Sequence, residues 1–179
     1  MKVILISGKA QHGKDTTAML IKSRLVKDGN SVLITHYGDL VKYICKEFFN
    51  WNGKKDIAGR FLLQRVGTDV VREVYPDFWV EFIYKILKCF PKAWDYVLIP
   101  DCRFPNEISM ISDGELDTTH LRVVRENFES PLTEEQRNHP SETALDNSVP
   151  DYVVINNGSI KDLGLKLEKW IEENLYAEH

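Results

Sequence analysis

"KVILISGKAQHGKDTTAML", residues 2–20, runs from a short apolar stretch through a glycine-rich turn into a helix-forming segment. Gly8 and Gly13 stand five apart, and Lys14 follows directly. Between a strand and a helix, this spacing lets the backbone N–H groups of residues 9–14 wrap a phosphate, helped by the roughly +0.5 charge at a helix N-terminus. Lys14 adds a point charge for the β- and γ-phosphates of a nucleotide. Asp15 then stands where such loops usually carry Ser or Thr, and a carboxylate repels phosphate unless a cation intervenes. Two accounts fit it. Asp15 can hold Mg²⁺ through a water, with the Thr16 and Thr17 hydroxyls available for phosphate or metal in the same turn. Alternatively, an acid in a helix's first turn is favourable in itself by about 0.3–1 kcal/mol.

Outward from this loop, the pattern alternates. Residues 2–6 read as a first strand and Gly13 to Lys27 as a helix, with "DGNS" (28–31) as turn chemistry. "SVLITHY" (31–37) reads as a second strand. "DLVKYICKEFF" (39–49) reads as an amphipathic helix with Leu40, Ile44 and Phe48 four apart, broken by "NWNGKKD" (50–56). Arg60 to Phe90 is helical in pattern except at "VYPD" (74–77), and Phe78, Phe82, Ile83, Ile86, Leu87 and Phe90 are expected to form one core face. "WDYVLIPD" (94–101), "THLRVVR" (119–125) and "DYVVINN" (151–157) read as further strands, and residues 159–175 as a closing helix. Strands that alternate with helices and lack hairpin turns imply an α/β fold, a parallel sheet with helices on both faces.

The composition bounds the function. The chain has 179 residues, enough for one domain with a substantial core, and no internal repeat or low-complexity linker divides it. A net charge of −4 gives no basic field for a nucleic-acid polymer. No apolar run approaches the roughly 20 residues that span a bilayer, and "MKVILISGKA" reads as a buried strand rather than a signal peptide. Cys45, Cys89 and Cys102 are odd in number and widely spaced, so free thiols in a reducing cytoplasm are expected rather than a disulfide framework or zinc knuckle. A catalytic thiol at Cys102 lacks a histidine motif.

Several other residues belong with the loop. "YVLIPD" ends in Asp101, a carboxylate at the sheet's carboxyl edge, where nucleotide loops organise Mg²⁺. Arg103 follows, and Arg125 ends the next strand, so both are expected at the same edge, able to stabilise charge on a moving phosphoryl group. The competing readings are a salt bridge from Arg103 to Glu107 and a solvated base at Arg125. In "GRFLLQRVGTDVVRE" (59–73), Arg65 and Arg72 share a face if the helix is continuous, with Gln64 and Thr68 alongside. That face could hold an acceptor nucleotide or simply be solvated. In "RNHPSETALD" (137–146), Ser141 and Glu142 read as part of an N-cap, not as acid–base groups beside His139.

The segments "SGKAQHGKDTTA", "LLQRVGTDVVREVYPDFWV", "DYVLIPDCRFPNE", "HLRVVR", "HPSETALD" and "INNGSIKDL" occur here in the order found in phage-type deoxynucleoside monophosphate kinases. The chain resembles that family from residue 3 to about residue 165, and Gly-Lys-Asp-Thr is the family's usual form. The resemblance implies a three-layer α/β/α P-loop kinase domain over 1–179 with five parallel strands in the order 2-3-1-4-5. It also implies an acceptor-binding insertion at about 38–92 and a lid at about 126–145. Gly8, Gly13, Lys14, Asp15, Thr16 and Thr17 would then hold ATP phosphates and Mg²⁺, the metal shared with Asp101, and Asn156 and Asn157 would border adenine. Lys9, Asp39, Gln64, Arg65, Thr68, Arg72, Trp79 and Arg103 would serve the acceptor, with Arg103 and Arg125 near the transferring phosphate. One departure is that family members can place a base at or near the third loop position, whereas Lys9, Ala10 and Gln11 stand here. The implied activity is γ-phosphoryl transfer from Mg-ATP to a nucleoside monophosphate, with a homodimer left open. The rival readings are a P-loop kinase of another small phosphorylated acceptor and a non-catalytic ATP-binding regulator.

Overall fold

The computed structural model describes residues 1–113 and 116–176. Five strands, β1 (Lys2–Ser7), β2 (Val32–Ile34), β3 (Tyr96–Cys102), β4 (Asp117–Val124) and β5 (Tyr152–Ile155), form one parallel sheet in the order β2-β3-β1-β4-β5. The expected strand order is therefore the observed one. Alternation along β1 shows how the layers arise. Val3 and Leu5 point to one face and Ile4 and Ile6 to the other, and all four are fully buried. The Ile4/Ile6 side packs against α1 (Lys14–Lys27) through Ala18, Ile21 and Leu25, and against α9 (Ile160–Asn174) through Leu163, Leu167 and Trp170. The Val3/Leu5 side is covered by α2 (Gly38–Phe49), α5 (Phe78–Cys89) and α6 (Pro105–Asp113). Among the described residues no helix is long and apolar enough to cross a membrane, and the three cysteines are free.

Several local expectations need correction. The second strand closes at Ile34 rather than Tyr37: the Thr35 N–H still donates to Leu98 O (3.1 Å), but the chain then turns into α2. Residues 60–90 are not one helix with a single break. They divide into α3 (Ile57–Gln64), a π-helical stretch (Arg65–Val70), α4 (Val71–Val74) and α5. On α5 the buried row is Trp79, Val80, Ile83 and Leu87, while Phe78, Phe82, Ile86 and Phe90 are exposed, so only Ile83 and Leu87 of the expected stripe reach the core. On α2, Val41 and Cys45 are buried, Leu40 and Ile44 flank them, and Phe48 is exposed. In both helices two adjacent apolar rows are available, and docking against the sheet selects one.

Candidate active site

The site lies where β1 and β3 end. Gly8 has φ 143°, and a Cβ there would meet Val123 O at 2.4 Å. Gly13 has φ 101°, and a Cβ there would meet Asn156 Nδ2 at 2.5 Å. Only glycine tolerates such backbone without strain, which is why the turn can pass so close to β4 and β5. Gly13 caps α1 with no side-chain hydrogen bond, so the first-turn amides are open to an anion. Lys14 is buried, and its Nζ donates to Gly8 O (2.6 Å) and Lys9 O (2.9 Å). Burial, assisted by Arg103, pushes it down to about 8. Thr17 Oγ1 is buried with no hydrogen-bond partner among the described residues. The exposed Asp15 carboxylate sits 3.2 Å from His36 Nε2, and that bond holds it below the usual carboxylate range.

Asp101 is set by a register shift. Between Leu5 and Ser7 the pairing of β1 with β3 skips a residue at the position of Pro100, which has no N–H to donate. The Asp101 carboxylate accepts from the backbone N–H of Tyr37 (3.0 Å) and of Gly38 (2.8 Å), so one side chain on β3 anchors the start of α2.

A cavity of about 370 Å³ opens beside the loop, and Lys14, Asp15, Asp101, Arg103, Gln64, Thr68, Arg72 and Trp79 all line it. The Trp79 indole donates to Gly67 O (2.8 Å) and forms a fixed wall. Arg72 pairs with the Glu107 carboxylate, donates to Pro76 O (3.3 Å) and lies over the Phe104 ring, 4.0 Å from its centroid. Burial raises Glu107 to about 7 even though Arg72 pulls the other way. The competing reading of Arg103 as a salt-bridge partner of Glu107 does not hold. Arg103 gives Glu107 only its backbone N–H (2.6 Å), while its guanidinium pairs with Glu142 and donates to Ser141 O (2.7 Å).

Other expected residues lie elsewhere. Arg65 is exposed and off the cavity, because the π-helical stretch breaks the seven-residue registry with Arg72. Lys9 faces the opposite side of the loop, where it donates to Glu142 O (2.6 Å) and pairs with Asp146. Asp39 pairs with Lys42 (2.7 Å) and His36 (3.3 Å) beside the cavity without lining it. Arg125 is exposed and lies over the Phe128 ring, and its backbone N–H donates to His12 Nδ1 (3.2 Å). Asn156 donates to His12 O (2.9 Å), and Asn157 holds Glu126 through its N–H and its carboxylate. Both asparagines brace the loop and its neighbour, and neither lines the cavity. Thr16 is half-buried in the first turn of α1.

Several cavity residues escaped the sequence reading, among them Lys42, Lys55, Arg60 and Glu107 as well as His36, Gln136 and Glu142. His36 follows a strand end at the sheet's carboxyl edge, which is a usable signal. Gln136 reaches the cavity from α7 (Glu134–Asn138), where it also completes a capping box with Thr133. Glu142 does not cap a helix: His139 is the cap of α8 (Pro140–Thr143) and accepts from Ser141 N. The Glu142 carboxylate instead accepts the Ala10 N–H (2.9 Å).

A profile of the deoxynucleotide monophosphate kinases matches residues 25–167. The chain belongs to the deoxynucleotide monophosphate kinase family. Two kinases of that description are similar to it: one from Escherichia phage RB69, 31% identical over 112 residues, and one from Enterobacteria phage T4, 30% identical over 115 residues. These matches cover 62% and 63% of this chain but only 43% and 45% of the relatives, so it spans less than half the length of the phage kinases. Among solved structures, a shikimate kinase from Aquifex aeolicus is similar (TM-score 0.53, 14% identity, 99% of this chain and 100% of that one). So is an APS kinase from Mycobacterium tuberculosis in complex with AMPPNP and APS (TM-score 0.51, 15% identity, 96% and 97% covered). At these identities the likeness shows the shared fold alone. In this member of the family, Lys14, Arg72 and Arg103 line one cavity.

Proposed function

We propose that this chain transfers the γ-phosphoryl group of Mg-ATP to a nucleoside monophosphate, most readily a deoxynucleotide. The observation that carries this reading is the convergence of Lys14, Arg103 and Arg72 on one cavity that joins an uncapped helix N-terminus to a wall formed by Trp79. The open first-turn amides cradle the ATP phosphates, and Lys14 exchanges its bonds to Gly8 O and Lys9 O for the β- and γ-phosphates. The buried, unpartnered Thr17 hydroxyl suits a polar ligand on the same turn. An acceptor phosphate oxygen attacks the γ-phosphorus, the bond to the bridging β–γ oxygen breaks, and ADP leaves. The acceptor is already anionic, so no general base is required, and positioning with charge stabilisation carries the step.

The donor set suits Mg²⁺, which is bound by one or two carboxylates together with phosphates and waters: Asp15 and Asp101 offer hard oxygens beside the loop, and Thr16 offers a hydroxyl. When bound, the ion neutralises charge on the β- and γ-phosphates. Arg103 lies between the loop and the acceptor side of the cavity and meets the transferring group, while Arg125, held over Phe128 at the start of the lid, reaches it only on closure. Trp79 walls the acceptor side of the pocket from the core, with Gln64, Thr68 and Arg72 as polar contacts. Residues 38–92 form the acceptor-binding insertion. Residues 126–145 form the lid, a reading supported by Leu132 and Gln136 in the cavity wall. Lid closure excludes water.

The test is ADP release from Mg-ATP against a panel of ribo- and deoxynucleoside monophosphates. Strong stimulation by one or a few is the expected result. A flat panel with ATP binding established separately would overturn the proposal.

A further inference from the structure

Glu142 lies in sequence 132 residues from the loop it touches, and the site as read above gives it no task. Its side chain is only 7% exposed. One carboxylate oxygen accepts the Ala10 N–H at 2.9 Å and the other pairs with Arg103. The same short segment is fastened twice more: Lys9 Nζ donates to Glu142 O (2.6 Å), and Arg103 donates to Ser141 O (2.7 Å). Burial raises the Glu142 carboxyl, but Arg103, the Ala10 N–H and Lys14 outweigh it and hold the group below the usual carboxylate range. An ionised, buried carboxylate between a loop amide and a guanidinium is acceptor-only on both oxygens, so it can serve both donors at once.

We infer that Glu142 is a positioning residue that couples the phosphate loop to Arg103. It fixes the separation of the two elements that grip the transferring phosphoryl group before nucleotide arrives. The inference rests on the kinase reading above. A guanidinium held at two points, at Ser141 O and Glu142, loses little freedom on meeting the transition state, and such preorganisation acts on turnover rather than on ATP affinity. Glutamine at this position presents one acceptor and one donor to two donors. It can satisfy Ala10 or Arg103, but not both.

The test compares wild type, Glu142→Gln, Arg103→Ala and the double variant in steady-state kinase assays. Glu142→Gln should lower kcat by about 10–10²-fold, with the KM for ATP changed less than about threefold. In the Arg103→Ala background the same substitution should have almost no further effect on kcat. Glu142→Asp, which retains the charge, should recover part of the loss. Independently of turnover, the Arg103 guanidinium N–H resonance in nucleotide-free protein should be sharp in wild type and broadened in Glu142→Gln. Equal losses in both backgrounds, an unchanged kcat, or a lower KM for ATP with faster turnover would each overturn the coupling. Wild-type protein that turns over no monophosphate while its Arg103 resonance is sharpened by Glu142 would overturn the kinase reading instead.

Discussion

Glu107→Ala should be among the most damaging single substitutions in this protein. The Glu107 carboxylate serves three donors: the Arg72 guanidinium and the backbone N–H groups of Arg103 (2.6 Å) and Phe104 (3.1 Å). The two side chains of the pair are 2% and 11% exposed, so water cannot replace the lost partner freely. Above about pH 7, where the Glu107 carboxyl is ionised, removing one member of the buried ion pair costs about 3–5 kcal/mol. The two amides would add about 1 kcal/mol each if they stayed unanswered, but the adjoining cavity can admit water to them, so the pair sets the scale. Total stability is on the order of 5–15 kcal/mol, so roughly a fifth or more is at stake. With an m-value of about 2 kcal/mol/M, the urea midpoint should fall by roughly 2 M. The variant Arg72→Met with Glu107→Leu should recover most of that loss, because apolar replacement of both partners leaves no uncompensated charge. A midpoint shift below roughly 0.5 M, or a double variant no more stable than Glu107→Ala, would refute the reasoning.

The remaining predictions use the same side chains and the loop. Glu107 is raised from 4.5 to about 7 by burial, so between those values the folded chain keeps a proton that the unfolded chain has released. Its contribution to stability therefore falls as pH rises through that window, and Glu107→Gln should flatten the pH dependence of the urea midpoint there. Lys14→Ala should lose about 10²–10³-fold in kcat for the kinase reaction, and retention of near-wild-type turnover would remove Lys14 from the site. Because burial brings Lys14 down to about 8, its charge fades above that pH in nucleotide-free protein. The KM for ATP should thus climb as pH rises past about 8 in wild type but not in Lys14→Ala. Gly8→Ala drives a Cβ to 2.4 Å from Val123 O, whereas Gly29→Ala, also at positive φ, meets nothing within 4 Å. Gly8→Ala should lower Tm several degrees more than Gly29→Ala, and equal shifts would show that β4 yields to the added methyl.

Much of the fold was legible because its signals are local. The apolar run before Gly8, the two glycines and Lys14 specify strand, turn and helix start through spacing alone, and the observed β1 and α1 begin and end within a residue or two of expectation. Asp101 and Arg103 were placed correctly at the sheet edge because every parallel strand delivers its last residues to the same side. The break near Pro76 was legible for a similar reason, since proline cannot continue a helix. Where two apolar rows competed, as on α5, periodicity found the helix but not the row that would dock.

Pairings across the chain were a different matter. Glu142 reads locally as a helix-start acid, and only the return of α8 onto the loop brings it to Ala10 and Arg103. Arg65 reads as a partner of Arg72 until a wider helical turn between them moves it to the exterior. Lys9, next to Gly8, is turned to the far side of the loop by Asp146 and Glu142. The physical reason is common to all three. Helix, strand and turn geometry follow from backbone sterics and hydrogen bonding over a few residues, which spacing encodes directly. The partner a charged side chain finds depends on which surfaces pack together, and that is a property of the whole folded chain.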